Sequence, residues 1–239
     1  MTATLSVLAG GAMRAPLNAI AARYREVAGV AVAYHFGTTP ELIALALSDQ
    51  RFDLGVVPQD VLKNADALAT FATDTITDVA YVGLGIAVPK GAPKPDIGTA
   101  DALKKTLLAA KSIAAIPESA AGYQAARVYA TLGISDAINA KTVVKRAPLE
   151  IVAALAAREA ELGIFFSNIL MSPDVDLLDG FPSELQELVA FRSGLCARTE
   201  QTELADAFLR FLADNEARAI IASHGMAPAN GSSAINEAL

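Results

Sequence analysis

The chain has 239 residues, enough for one large domain or two lobes of ordinary size. Hydrophobic residues make up 53% and aromatics 6%, with no Trp, and the formal net charge is −7. That balance argues against nucleic acid as a partner, since phosphate binding needs a basic footprint, and no apolar run reaches the roughly 18 residues of a membrane span.

In chain order, LSVLAG (5–10) reads as a strand, and Gly10-Gly11-Ala12 breaks it. Met13, Leu17, Ile20, Ala21 and Tyr24 then share one helical face, with Gly29 as the stop. VAVAYHF (30–36) is the next strand, followed by Gly37-Thr38-Thr39-Pro40 and the helix ELIALALSD, with Thr39 as N-cap and Pro40 as first helical residue. FDLGVVP (52–58) is a third strand, and Gln59 and Asp60 open another helical segment. YVGLGIAVPKG (81–91) reads as one long apolar strand running into GAPKPDIG, a composition shift of the kind that marks a crossing between lobes.

Beyond it come the helix DALKKTLLAA, the strand SIAAI, the turn 117–122 and the helix YQAARVYATLG. PLEIVAALAAREA (148–160) is a helix, ELGIFF a strand, and Ser167-Asn168 the turn after it. The segment 187–198 reads as a returning strand, and the chain closes on one or two helices ending at Gly225. Strands separated by helices of this length imply an α/β protein with parallel sheets. Two crossings give lobe 1 as 1–81 plus 196–239 and lobe 2 as 82–195, two Rossmann-like lobes with a ligand cleft expected between them.

Four turns share one form: a strand ends, small or hydroxylated residues follow, and a helix begins. They are Gly11-Ala12-Met13, Thr38-Thr39, Ser119-Ala120-Ala121 and Ser167-Asn168. A helix N-terminus leaves N–H groups without partners and carries about half a positive charge, so small side chains there admit an anion and hydroxyls add donors. Each turn taken singly is also an ordinary cap. Arg14 is the one cation beside these turns, and Glu118, His35 and Tyr123 are the titratable groups near them.

Other chemistries find no foothold. Cys196 is alone, so no intramolecular disulfide forms, and His35 and His224 show no metal-ligand spacing; no metal is expected. Gly83-Leu84-Gly85 lacks the third glycine of a dinucleotide fingerprint, no GxSxG exists, and no cofactor is expected. MTATLSVLAGG has no basic region followed by an apolar stretch and cleavage site, so the expectation is periplasmic if a signal was removed and cytoplasmic otherwise.

The succession AGGAMRAPL, FGTTPEL, FDLGVVP, GIAVPKGAP, PESAAGYQAARVYATLG, PLEIVAALAAREAELGIFF and AFLRFLADNEARAIIASHG resembles the molybdate-binding proteins of ABC importers. The resemblance covers nearly the whole chain and implies the type 2 periplasmic solute-binding fold, a small anionic ligand, importer membrane subunits as possible partners, and a monomer. The family's oxyanion site uses a serine in the first turn, a serine in the second, a backbone N–H at an alanine in the third, and a tyrosine after the last strand. Carried over, these fall on Ala12, Thr39, Ala121 and Phe166, so two expected hydroxyls are missing. A tetrahedral oxyanion would lose about 1 to 3 kcal/mol at each. With Met13, Arg14 and Phe166 present instead, the expected ligand is a small organic carboxylate.

Two functions follow. One is a solute-binding protein for that anion. The other is a cofactor-independent isomerase of an unsaturated polycarboxylate, since bacterial aconitate isomerase is similar to the same family; Arg14, Thr38, Thr39 and Ser119 would clamp carboxylates, and Glu118, His35 or Tyr123 would be the base. Binding is favoured over catalysis because no catalytic constellation stands out.

Overall fold

In a computed structural model, which describes residues 3–229, the chain runs β1 (Thr4–Gly10), a single 3-10 turn (Gly11–Met13), α1 (Arg14–Ala28), β2 (Ala31–Gly37), α2 (Thr39–Leu47) and β3 (Leu54–Pro58). Short helices α3 (Gln59–Leu62) and α4 (Ala65–Leu68) lead to β4 (Thr77–Val82). Then come β5 (Leu84–Pro89), α5 (Ala100–Ala109), β6 (Ile113–Ala115), α6 (Ala120–Leu132), α7 (Ser135–Asn139), β7 (Thr142–Val144) and α8 (Pro148–Ala156). The chain continues through β8 (Leu162–Phe166), α9 (Ser167–Leu170), β9 (Val175–Gly180) and β10 (Val189–Leu195), and ends in α10 (Thr202–Leu212), α11 (Asn215–Ser223) and β11 (Ala227–Pro228). Among the described residues, no helix is long and apolar enough to cross a membrane.

The chain divides into two units. The first takes the described residues up to Tyr81 and from Ala190 onward, and the second takes Val82–Val189. The return therefore falls at 189/190, where the residue pattern alone set it at 195/196. The reason is that β10 pairs antiparallel with β3, Phe191 opposite Pro58 through Leu195 opposite Leu54, which ties 190–195 to the first unit.

The first unit holds a sheet ordered β11-β4-β10-β3-β1-β2. β1 pairs parallel with β2 and with β3, so the carboxyl ends of all three lie on one edge. Helix α1 forms because Leu17, Ile20 and Tyr24 recur at helical spacing and are buried, and Gly29 stops it at φ 69°. The Tyr24 ring meets Phe208 and Phe211 of α10 at 4.9 and 5.0 Å between centroids, contacts worth about 0.5 to 1.5 kcal/mol beyond their buried area. Under the sheet, the Asp53 carboxylate is buried but fully used. It accepts from Ser6 N at 2.8 Å, Gln201 Nε2 at 3.0 Å and Thr199 Oγ1 at 2.7 Å, joining β1 to the segment before α10.

The second unit holds a sheet ordered β7-β6-β8-β5-β9. β6 runs parallel to β7 and β8, whereas β5 runs antiparallel to β8 and β9. The sheets are thus mixed, not purely parallel as the helix spacing implied. The long strand expected over 81–91 is two strands broken at Gly83, where Gln186 fills the space a side chain would need and donates to Leu84 O at 3.1 Å.

The helix expected over 148–160 stops at Ala156. Arg158 N donates to Leu155 O at 3.0 Å and Glu159 N to Ala154 O at 2.8 Å, a Schellman ending with Arg158 at the left-handed position, φ 56°. Glycine is the ordinary occupant there, and a residue with a side chain costs about 1 to 2 kcal/mol.

Candidate functional site

The carboxyl edge of the first unit's sheet gathers the first two predicted turns. Gly10 sits opposite Gly37 in the register, which brings Gly11–Met13 beside Thr38 and Thr39. Gly10 itself is explained by packing: a Cβ there would lie 2.5 Å from Phe191 Cε1 and 3.1 Å from Pro58 Cδ. Gly11, Ala12 and Met13 form the 3-10 turn, with Ala12 and Met13 buried. Arg14 is exposed, and its guanidinium carbon lies 4.1 Å above the Phe36 ring at the end of β2. That stacking holds the cation over the edge while leaving its in-plane N–H groups available.

At α2 the structure shifts the cap by one residue. Thr38, not Thr39, is the N-cap, because Glu41 stands three residues on and closes a capping box. The Thr38 N–H and Oγ1 both donate to Glu41 Oε2, at 2.7 and 2.9 Å, so this hydroxyl is occupied. Thr39 is the first helical residue, only 3% exposed, and its Oγ1 is a buried hydroxyl oxygen with no hydrogen-bond partner. Leaving such a group unmatched costs about 1 to 3 kcal/mol. It therefore stands out at the N-terminus of a nine-residue helix, where the dipole attracts an anion.

The same edge carries a residue that the residue pattern did not single out as a site. Asp60, second in α3 just past β3, gives one carboxylate oxygen to Lys63 at 2.7 Å, while Oδ2 is buried without a partner. Its position directly after a strand end was the available signal. His35 precedes this edge in β2, and its ring is engaged by the Gln50 amide at 3.0 Å.

On the second unit, the carboxyl ends of β6, β7 and β8 share an edge with the start of β5, since Leu84 pairs with Phe166. Ser119 caps α6 and is spent on that task. Its Oγ accepts from Gly122 N at 3.0 Å and donates to Ile116 O at 2.7 Å. Ala120 and Ala121 follow as buried first-turn residues whose N–H groups have no partner within the helix. Glu118 is exposed on the turn, and Tyr123 is 38% exposed one residue past Gly122. Phe166 is 2% exposed, with its ring 5.2 Å from Phe165, and Ser167 and Asn168 open α9, where Ser167 N donates to Gly83 O at 3.0 Å.

Two glutamines that the sequence did not flag also belong to the second unit. Gln124, 1% exposed, donates to Glu187 O, and both Gln124 and Gln186 keep a buried amide oxygen without a partner. A fifth strand–helix turn, 145–147, also lacked a sequence signal; there Glu150 folds back to accept from Arg146 N at 2.8 Å, which draws its carboxyl below the usual range. Of the predicted residues, then, Thr39 keeps a buried hydroxyl without a partner and Arg14 is exposed and stacked on Phe36, whereas Thr38, Ser119 and His35 are held by protein partners.

Residues 5–227 match the family model described as bacterial extracellular solute-binding protein. The chain is 30% identical over 233 residues to an aconitate isomerase of Pseudomonas sp, a match covering 94% of this chain and 88% of that protein. Among solved structures, the periplasmic molybdate-binding protein of Azotobacter vinelandii superposes with a TM-score of 0.79 at 17% identity, covering 95% of this chain and all of that one. The sulfate-binding protein SubI of Mycobacterium tuberculosis H37Rv gives 0.77 at 15% identity, covering 96% and 88%. These neighbours share the two-lobe fold of the periplasmic binding proteins. The chain belongs to the bacterial extracellular solute-binding protein family.

Proposed function

We propose that the protein binds a small organic polycarboxylate at the turns Gly11–Arg14 and Thr38–Thr39. The observation that carries this reading is the buried, partnerless Thr39 hydroxyl at the start of α2, beside a guanidinium already stacked on Phe36. One ligand carboxylate would take the Thr39 hydroxyl and the first-turn N–H groups of α2. Another would take the in-plane N–H groups of Arg14 through charge-assisted bonds.

Ala12 offers no side-chain donor beside these turns, so a ligand with acceptors on every side would lose a hydrogen bond there. A carbon skeleton between carboxylates suits that position, which favours an organic acid over molybdate or sulfate. Periplasmic location, monomeric state and delivery of the ligand to importer membrane subunits belong to the same proposal.

Isothermal titration tests it directly. Citrate or an aconitate isomer should bind more tightly than molybdate and sulfate; binding of the tetrahedral anions alone overturns the reading.

The identity with aconitate isomerase supports a second reading, a double-bond shift in a tricarboxylate. One proton must leave a carbon next to the double bond, and another must be added at the far end of the three-carbon unit. On the first unit's edge, Asp60 offers a buried carboxylate oxygen free to accept that proton, a better placed base than His35, whose ring Gln50 engages. A proton NMR time course with trans-aconitate separates the readings. Appearance of the cis isomer, abolished by Asp60→Asn, supports catalysis, and an unchanged spectrum with tight binding supports a carrier.

A further inference from the structure

A cavity of about 710 Å³ lies within the second unit, at the sheet edge opposite its strand–helix turns. β8 begins at Leu162, which lines the cavity, and ends at Phe166, so the five residues of the strand, about 13 Å, separate the two edges. Val88 and Pro89 reach the cavity because β5 runs antiparallel to β8, with Ala87 opposite Gly163. Another wall is one face of α5: Ala102, Lys105, Thr106 and Ala109 follow the i, i+3, i+4, i+7 spacing, and the alanines leave the space open.

The charges are arranged unevenly. Lys94, Lys105 and Arg158 line the cavity, and none of them forms an ion pair among the described residues. The two acidic residues, by contrast, turn to the backbone. Asp96 accepts from Gly98 N at 2.9 Å, and Glu161 accepts from Lys111 N at 2.8 Å. With three cations against two carboxylates that are turned to the backbone, the rim keeps a small excess of positive charge over an apolar floor.

Arg158 supplies an independent sign. It stands at the left-handed residue ending α8, φ 56°, a place that glycine fills without strain. Its side chain is held by a single long bond to Lys90 O, at 3.5 Å. The fold gains nothing evident from an arginine there, and strained residues persist where they serve a site.

From this geometry we propose a second ligand site, for a small amphipathic monocarboxylate. Its tail would lie on Val88, Ala109 and Leu162, and its carboxylate would meet Arg158 and Lys105. The volume falls within the ordinary range for small-molecule pockets.

Octanoate is the probe, titrated into the full chain and followed by calorimetry and amide NMR. Saturable shifts should cluster at Ala102, Thr106, Ala109 and Leu162, and octanol, the uncharged analogue, should bind at least ten-fold more weakly. Arg158→Gly should melt no lower than wild type yet bind octanoate at least five-fold more weakly, and Thr39→Val should bind it as wild type does. Should Arg158→Gly fail to fold, Lys105→Gln decides instead, with an expected loss of at least three-fold. Absence of saturation, shifts clustered elsewhere, equal binding of octanol, wild-type affinity in these two rim variants, or a loss of affinity in Thr39→Val would each overturn the proposal.

Discussion

The start of α2 and the start of α6 look alike in sequence, each a hydroxyl residue and small neighbours between a strand and a helix, yet they differ in what their hydroxyls do. Ser119 has a donor and an acceptor partner inside its own turn, while Thr39, one residue past the true cap, has neither. A hydroxyl at a helix N-terminus is thus a cap or a ligand donor according to whether the turn already uses it. Thr38 takes the capping role with Glu41, which leaves Thr39 available.

The largest test of this contrast comes from the α6 side. Gly122→Ala would place a Cβ 2.2 Å from Ile116 O and 2.4 Å from Pro117 O, so the Ser119 turn must move; a loss of about 3 kcal/mol in denaturant unfolding is expected. Thr39→Val should instead leave stability equal or raised, because an unmatched hydroxyl is removed, while costing about 1.4 kcal/mol of ligand binding, a ten-fold change. Ser119→Ala should do the reverse, lowering stability by about 1 kcal/mol as a lost cap and leaving the ligand's affinity within two-fold. Arg14→Ala should weaken the ligand by about 1 kcal/mol, an effect that shrinks as salt is added.

The smallest effect concerns a carboxylate that, like Ser119, is already partnered. Asp176 accepts from Lys90 Nζ and Gly91 N, both at 2.8 Å, and these bonds, the lysine's first, hold its pKa below the ordinary aspartate value. A lowered folded-state pKa stabilises above the unfolded value, and that contribution disappears as pH falls through the folded one. Asp176→Asn should therefore lower stability slightly near neutrality and flatten its decline below about pH 4, as thermal melts across pH would show.

Much of this was legible in the residues. Apolar runs gave β1, β2, β3, β6 and β8, Gly29 marked the end of α1, and the strand-end turns pointed to the two sheet edges. The strands β7 and β9 were not legible, because TVV is too short for a pattern and VDLLDG is interrupted by two aspartates. The break at Gly83 was hidden by continuous hydrophobicity, and Arg158 by a helical pattern that runs past the left-handed residue. For the site, residue types revealed the turns but not their hydrogen bonds. Ser119 read as a ligand donor and Asp60 as an ordinary helix start, because partner satisfaction is a property of three-dimensional neighbours.

The most direct test is calorimetric titration of a tricarboxylate into wild type and Thr39→Val side by side, with melting temperatures measured on both. The account predicts about ten-fold weaker binding in the variant at an unchanged or higher melting temperature. Equal affinity in the two proteins would contradict it, since the idle hydroxyl would then have no ligand to serve.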